Sequence, residues 1–288
     1  MKTGPKMKKL IFAAAGIGLM TGLAFGQETH NAAEPAHFPM NEPAEQSWSF
    51  AGPFGTYDKA QLQRGLKIYK EVCSACHSMK LVAFRNLLDL GYSEAQVKAF
   101  AAEFEVQDGP NSDGEMFTRK AGLADYFPSP YANEEAAAAA NKGAAPPDFS
   151  LIAKARGTIR GFPRFVFDIF TQYQEGGPDY IHALLTGFGQ KMPEGMQIGE
   201  GTHYNPFFMS AKSLAMAQPI TDDQVTYDDG TPQTVDQYAK DVSAFLMWAA
   251  EPHLEARKKM GFRVMIFLLV LAGLLYATKR RVWASVAH

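Results

Sequence analysis

The sequence predicts a mainly α-helical exported domain with long loop insertions, held by one C-terminal transmembrane helix. Three observations carry that prediction. Apolar residues recur at helix spacing over 58–72, 93–104 and 234–251, and no segment shows sustained period-2 alternation. Two long apolar runs stand near the chain ends, at 10–25 and 261–278. Gly- and Pro-rich stretches over 107–150 and 189–232 separate the helical segments. The composition is ordinary for a globular protein, 288 residues with 47% hydrophobic, and suits one or two domains.

Residues 1–26 have the pattern of a secretory signal. Lys2, Lys6, Lys8 and Lys9 form a basic start, Leu10 to Phe25 an apolar run, and Ala24 and Gly26 the small residues of a cleavage position. An uncleaved N-terminal anchor fits the same residues. Under either reading the next segment, 27–256, is exported, with 27–55 as an extended lead-in. Asp58 is a candidate N-cap for a helix whose apolar face is Leu62, Leu66, Ile68, Tyr69 and Val72. Ser93 to Gln96 opens a second helix, with Val97, Phe100, Ala101 and Phe104 inward. Ala136 to Ala140 is a short helical insert, and 165–175 and 179–188 are further short helices. Thr234 to Gln237 opens a long helix through Val242, Phe245, Leu246 and Trp248 to Glu251.

Gly261 to Thr278 is the second apolar run. Its 18 residues span roughly 27 Å as a helix, against a hydrocarbon core of about 30 Å. Arg263 sits one turn inside and can reach the interface. The anchor is placed at 257–281, with Lys279, Arg280 and Arg281 as its basic end and 282–288 as the tail. A buried core helix is the alternative, but such helices seldom lack acidic residues so completely. Basic residues flank both ends, so charge alone leaves orientation open. The signal decides it: the domain is exported and the C-terminus is cytoplasmic.

Charge is unevenly spread. The first 26 residues hold four basic side chains and the last 32 hold seven, with no acid in either. The body therefore holds 17 basic and all 30 acidic residues, a net charge of −13. Such a body repels nucleic acid and attracts basic partners.

The chemistry centres on Cys73-Ser74-Ala75-Cys76-His77, the C-x-x-C-H pattern of c-type haem attachment. Thiols one helical turn apart can add across the two vinyl groups of one porphyrin. His77 then falls under the ring and can bind the iron. A redox dithiol and half a zinc site are the alternatives. Zinc needs more ligands nearby, and the chain has no third cysteine. One covalently bound haem c is the expected cofactor.

The sixth iron position decides what such a haem does, because methionine there raises the potential and excludes oxygen or peroxide. Met116, Met192, Met196, Met209, Met216, His182 and His203 are candidates. Lys191-Met192-Pro193 resembles the distal loop of small soluble cytochromes. Met216 lies just before the final helical region. Composition and spacing do not separate the two.

Several ordered motifs do. They are Val72 to Met79; Gly114-Glu115-Met116-Phe117-Thr118-Arg119; Asp125-Tyr126-Phe127-Pro128; Ala145-Pro146-Pro147-Asp148; Tyr204-Asn205-Pro206-Phe207; Leu214-Ala215-Met216-Ala217-Gln218-Pro219-Ile220; Asp228-Asp229-Gly230-Thr231-Pro232; and Phe245-Leu246-Met247-Trp248-Ala249-Ala250-Glu251-Pro252 before the anchor. Over about residues 50–283 this set resembles the cytochrome c1 family, bacterial type. The resemblance implies a class I cytochrome c-like haem domain. It implies covalent haem at Cys73 and Cys76, with His77 and Met216 as axial iron ligands. Gln218 stands where the family usually has proline. Arg119 matches the arginine near a haem propionate. Pro146 and Pro147 match the segment whose carbonyl accepts from the proximal histidine and fixes its tautomer.

The same resemblance implies the electron-transfer subunit of a ubiquinol–cytochrome c reductase. One electron arrives from the Rieske iron–sulphur protein and leaves to a soluble or tethered c-type cytochrome, with no substrate bond made or broken on this chain. The implied partners are cytochrome b, the Rieske protein, a c-type cytochrome and membrane lipid, in a dimeric complex, with no nucleic acid. The implied place is the bacterial inner membrane, single-pass, with the haem domain in the periplasm. Glu103, Glu105, Asp108, Asp113, Glu115, Asp222, Asp223, Asp228 and Asp229 are candidates for steering a basic cytochrome. Two other classes remain distinguishable by experiment: a monohaem carrier outside such a complex, and a haem enzyme with an open sixth site that binds carbon monoxide.

Overall fold

A computed structural model describes residues 41–157 and 160–285. The signal segment expected at 1–26 lies outside the described residues. The elements run in order as α1 (Lys59–Glu71), α2 (Glu94–Ala101), β1 (Glu105–Asp108), β2 (Phe117–Lys120), α3 (Glu134–Ala140), α4 (Ile152–Ala155), α5 (Arg164–Thr171), α6 (Gly176–Thr186), β3 (His203–Tyr204), β4 (Ser213–Leu214), α7 (Val235–Ala250) and α8 (Leu254–Val282). The fold is mainly helical, as the periodicity predicts.

Local chemistry starts the main helices. Asp58 caps α1, its Oδ1 accepting from the Ala60 and Gln61 amides at 2.9 and 3.3 Å. Ser93 and Gln96 form a capping box on α2. Thr234 caps α7 by accepting from the Gln237 amide. The apolar stripe of α1, Leu62, Leu66, Ile68 and Tyr69, is buried as its spacing requires.

Helix α1 crosses α7 at close range because position 65 is glycine. A Cβ there would stand 2.3 Å from the Asp241 carbonyl oxygen and 2.5 Å from Phe245 Cβ. The crossing is locked by a buried carboxylate. Asp241, fully buried, accepts from Arg64 Nε at 2.8 Å, Tyr227 Oη at 2.9 Å and Gln237 Nε2 at 2.8 Å. Arg64 also pairs with Asp229 at 2.7 Å. A buried charge is tolerable when it is paired and hydrogen-bonded in this way. Helices α6 and α4 also pack against α7. Aromatic rings fill the rest of the core. Phe84 and Phe127 lie 4.6 Å apart, and Tyr69 contacts Phe127 and Phe245 at 5.8 and 5.9 Å.

Three features depart from the expected segments. The helix expected at 165–175 ends at Thr171, where Gln172 turns left-handed with φ 55°. The segment expected at 179–188 begins its helix earlier, at Gly176. Two small antiparallel hairpins are present, β1 with β2 and β3 with β4. Their strands are four and two residues long, too short to display alternation.

Helix α8 is longer than its apolar run. It has 29 residues, and its most apolar window has a mean hydropathy of 2.1. From Met260 to Val282 every residue is exposed. Among the described residues it is the one helix long and apolar enough to cross a membrane.

Candidate functional site

Helix α1 delivers the cysteine motif. It stops at Glu71, and Cys73–Ala75 form one tight 3-10 turn. The Cys76 and His77 amides both donate to the Cys73 carbonyl, at 3.1 and 2.9 Å. The Tyr69 hydroxyl donates to the His77 carbonyl at 3.1 Å, tying the turn back to α1. The motif is thus presented on a fixed turn at a helix end.

The His77 ring is held on two sides. Its Nδ1 lies 2.9 Å from the Pro147 carbonyl oxygen. The Phe149 ring stacks on it at 4.0 Å and 17°. With the proton on Nδ1, Nε2 carries the free lone pair that an iron ligand needs. Burial lowers the His77 pKa, against the opposing pull of the Pro147 carbonyl and Asp148, which favours the neutral imidazole.

Asp148 holds this wall in place. Its Oδ2 accepts from Ser78 Oγ at 2.7 Å and the Lys80 amide at 2.9 Å. Its Oδ1 accepts from the Ser150 amide at 2.9 Å. The Phe149 amide donates to the Ser78 carbonyl, and Ser150 Oγ accepts from the Leu81 amide. Burial raises the Asp148 pKa, but the hydrogen bonds from Ser150, Lys80 and Ser78 outweigh it and leave it lowered. Asp148, Phe149 and Tyr69 are the contributors that sequence reasoning left without a role. Asp148 stood in a quoted motif, but two of its three partners, Ser78 and Lys80, are about 70 residues away in sequence.

Cys73 is ill suited to be the attacking thiol of a redox dithiol. A thiol–disulfide catalyst needs a thiolate at low pKa. Burial and the neighbouring Cys76 instead push the Cys73 thiol up to about 12. Cys76 opens onto a cavity of about 310 Å³ shared with Tyr131, Pro146, Pro147 and Asp148. Among the described residues no group of three or more His, Cys, Asp or Glu side chains could hold a metal ion. The cysteine turn offers two thiols and one imidazole, donors that fit a haem c.

The remaining candidates are placed as follows. Met216 is half-buried, two residues past β4, between buried Leu214 and Ile220. Gln218 Nε2 donates to the Ile220 carbonyl at 2.9 Å and closes that loop. Met192 is half-buried in the loop after α6, and Met116 is 61% exposed in the loop between β1 and β2. His182 Nε2 lies 2.9 Å from an Asp236 carboxylate oxygen. Arg119, on β2, is bidentate to Asp125 at 2.6 and 2.9 Å, donates to the Lys120 carbonyl at 3.1 Å, and gives its Nε to Asp108. Four of its five N–H groups are used, and one on Nη2 is left over. Of the nine acidic steering candidates, Glu103, Glu105, Asp108, Asp228 and Asp229 form ion pairs within the chain.

Comparison with known proteins agrees with this arrangement. Residues 48–286 match the model of the cytochrome C1 family. Cytochrome c1 of Blastochloris viridis is 48% identical over 283 residues, covering 96% of this chain and 97% of that protein. Cytochrome c1 of Rhodospirillum rubrum is 46% identical over 85% of this chain and 88% of that protein. Cytochrome b/c1 of Bradyrhizobium diazoefficiens is 59% identical over 85% of this chain, which spans only 36% of that longer relative. With a helix-borne Cys-Ser-Ala-Cys-His turn and a match over most of its length, the chain belongs to the cytochrome c1 family.

Proposed function

We propose that the chain holds one haem c by thioethers at Cys73 and Cys76, with His77 and Met216 as axial ligands. In this reading it relays single electrons from a Rieske iron–sulphur protein to a c-type cytochrome. The family implies a haem-bearing electron-transfer subunit of a cytochrome bc1 complex. The observation that carries the residue assignment is the His77 geometry. Immediately after the cysteine pair, Nδ1 meets the Pro147 carbonyl at 2.9 Å and directs Nε2 to serve as ligand.

Bound there, the haem supplies a one-electron iron couple. The chain's own residues set its surroundings. Phe149 holds the imidazole plane and the Pro147 carbonyl its tautomer, while Asp148 braces the segment that carries both. Pro146 and Pro147 form the proximal wall. Arg119, anchored by Asp125 and Asp108, has one Nη2 hydrogen for a propionate. Met216 would supply the second iron ligand, and a haem so held would have no open position for small gases. Asp113, Glu115, Asp222 and Asp223, which form no ion pair among the described residues, present the free acidic charge that steers a basic cytochrome.

The topology follows from the two apolar runs. Residues 1–26 act as signal peptide, 27–256 as the periplasmic haem domain, 257–281 as anchor and 282–288 as cytoplasmic tail of a bacterial inner-membrane protein. Cytochrome b packs on the anchor within a dimeric complex. The test is direct. Haem must stay with the chain in a denaturing gel, and both Cys73→Ala and Cys76→Ala must weaken that retention. Met216→Leu must open the reduced iron to carbon monoxide. If Met192→Leu does so instead, Met216 is not the ligand. Purification of the native membrane complex must bring cytochrome b and an iron–sulphur protein with the chain.

A further inference from the structure

Helix α5 is turned the wrong way round for a soluble domain. Its Asp168 is 17% exposed and pairs with Arg160, which is itself 12% exposed and lies 3.7 Å from the centre of the Tyr173 ring. The phenylalanines at its start and along it face outward: Phe162, Phe165, Phe167 and Phe170 are 82%, 46%, 62% and 78% exposed. An ordinary surface helix buries the apolar side and shows the polar one. Phe162 and Phe165 lie with ring centres 6.2 Å apart, Phe167 and Phe170 share a side of the helix, and exposed apolar groups gathered in this way mark an interaction surface.

The position of α5 indicates what covers it. Three residues past its end, Gln174 accepts from Arg257 Nη2 of α8 at 3.3 Å. The Thr171 carbonyl at its end lies 4.0 Å from where a Cβ on Gly52 would stand. Two residues on, Phe54 is 75% exposed and meets Phe262 of α8 edge-on, with centroids 5.7 Å apart. Helix α5 and Phe54 therefore flank α8 where its apolar run begins. Arg257, Lys258, Lys259 and Arg263 cluster over the first turns of α8 here, with Arg257 paired to Glu251 at 2.5 Å and Lys259 to Glu255 at 3.7 Å. Outward aromatics beside a ring of cations match the boundary between lipid headgroups and acyl chains.

We propose that α5 and Phe54 form an interfacial foot, with the exposed phenylalanines lying in the bilayer surface at the point where α8 enters. The occupant is lipid. The proposal rests on reading α8 as a membrane anchor.

The full-length haem-loaded chain allows a clean test, because its two cysteines are taken by haem and an added one is the sole free thiol. Nitroxide labels are placed at Phe170→Cys and Phe54→Cys. Leu269→Cys in mid-anchor and Asp113→Cys in the loop between β1 and β2 serve as references. Each chain is reconstituted in phosphatidylcholine–phosphatidylglycerol vesicles, and collision with oxygen and with an aqueous nickel chelate is measured. The same labels are read in the native complex. Lipid-type accessibility at 170 and 54, several-fold above 113 in its oxygen-to-nickel ratio, is the expected result. If 269 is lipid-accessible while 170 meets nickel as freely as 113, the foot is overturned and the anchor stands. If 269 also lacks lipid contact, the anchor reading fails and takes the foot with it. Shielding of 170 from both agents in the native complex means that a protein covers the face, which also overturns the proposal.

Discussion

Asp148→Asn tests whether the wall behind His77 is held by this one carboxylate. Its Oδ2 takes Ser78 Oγ and the Lys80 amide, at 2.7 and 2.9 Å, and its Oδ1 takes the Ser150 amide at 2.9 Å. Asparagine keeps one oxygen and replaces the other by a donor. With its oxygen toward Ser78 and Lys80, the Ser150 amide faces an NH2. With the oxygen toward Ser150, two donors lose their acceptor. A hydrogen bond to a charged group contributes about 1.5–3 kcal/mol, and the half-buried site argues for the lower part of that range. The expected loss is about 2 kcal/mol, which speeds local opening about 30-fold at 1.36 kcal/mol per tenfold. The assay is solvent exchange of the His77 Nδ1–H in the haem-loaded chain, read beside its urea midpoint. Faster exchange and a lower midpoint are expected. Unchanged exchange with a folded variant would refute the account and leave the Phe149 amide on Ser78 as the true fastening.

Other outcomes follow from the same geometry. Gly65→Ala should destabilise the chain by about 1–3 kcal/mol through overpacking, outweighing the gain of about 1 kcal/mol in helix propensity. A raised melting temperature would show that α1 and α7 do not cross so closely. Asp229 is held down to about 2 by Thr231 and then Arg64. Its folded pKa lies below the unfolded value near 3.9, so its contribution is whole above that pH and fades as pH falls toward about 2. Asp229→Asn should therefore be less stable than the parent at neutral pH, with the gap closing in acid; a gap that persists below about pH 2 contradicts the pairing. Turnover with a basic cytochrome c should fall steeply as salt rises, and less steeply in a variant with Asp113, Glu115, Asp222 and Asp223 neutralised. A flat salt profile in the parent removes the steering role.

What the sequence shows best is local. The caps at Asp58, Ser93 and Thr234 act within three residues, and the stripe of α1 needs only periodicity. The cysteine turn is legible for the same reason. Asp148 escapes because Ser78 and Lys80, two of its partners, lie about 70 residues earlier, and nothing in their spacing points to it. The hairpins escape because their strands are too short to alternate. The exposed face of α5 escapes because amphipathic spacing tells which residues share a side and not which side is covered. Phe167 and Phe170 are spaced like residues of a buried stripe, and only the inward Arg160–Asp168 pair reverses the reading.

The two sides of the candidate haem site differ in the same way, and that difference explains why Met216 needed a family resemblance. The proximal side is one helix end and one returning segment. Met216 sits in a loop whose position is set at long range. The loop runs on to Thr221–Thr234, where the Val235 amide donates to Asp222 at 2.7 Å, Tyr227 donates to Asp241 at 2.9 Å, and Asp229 takes Arg64 at 2.7 Å. Arg64 belongs to α1, the helix that ends at the cysteine turn. One guanidinium therefore joins the element carrying the cysteines to the segment that follows the methionine. Loosening Arg64 should disturb the proposed Met216 side before the His77 side, since His77 is fastened through Tyr69, Pro147 and Phe149, while the other tie of the Met216 loop to α1 is the outlying Lys67, which donates to the Thr226 carbonyl at 2.6 Å and pairs with Asp228 at 3.9 Å. Arg64→Gln should therefore admit carbon monoxide to the reduced iron while haem stays covalently bound. Haem loss without any gain in carbon monoxide binding would place the strain on the proximal side and break this link between α1 and the methionine loop.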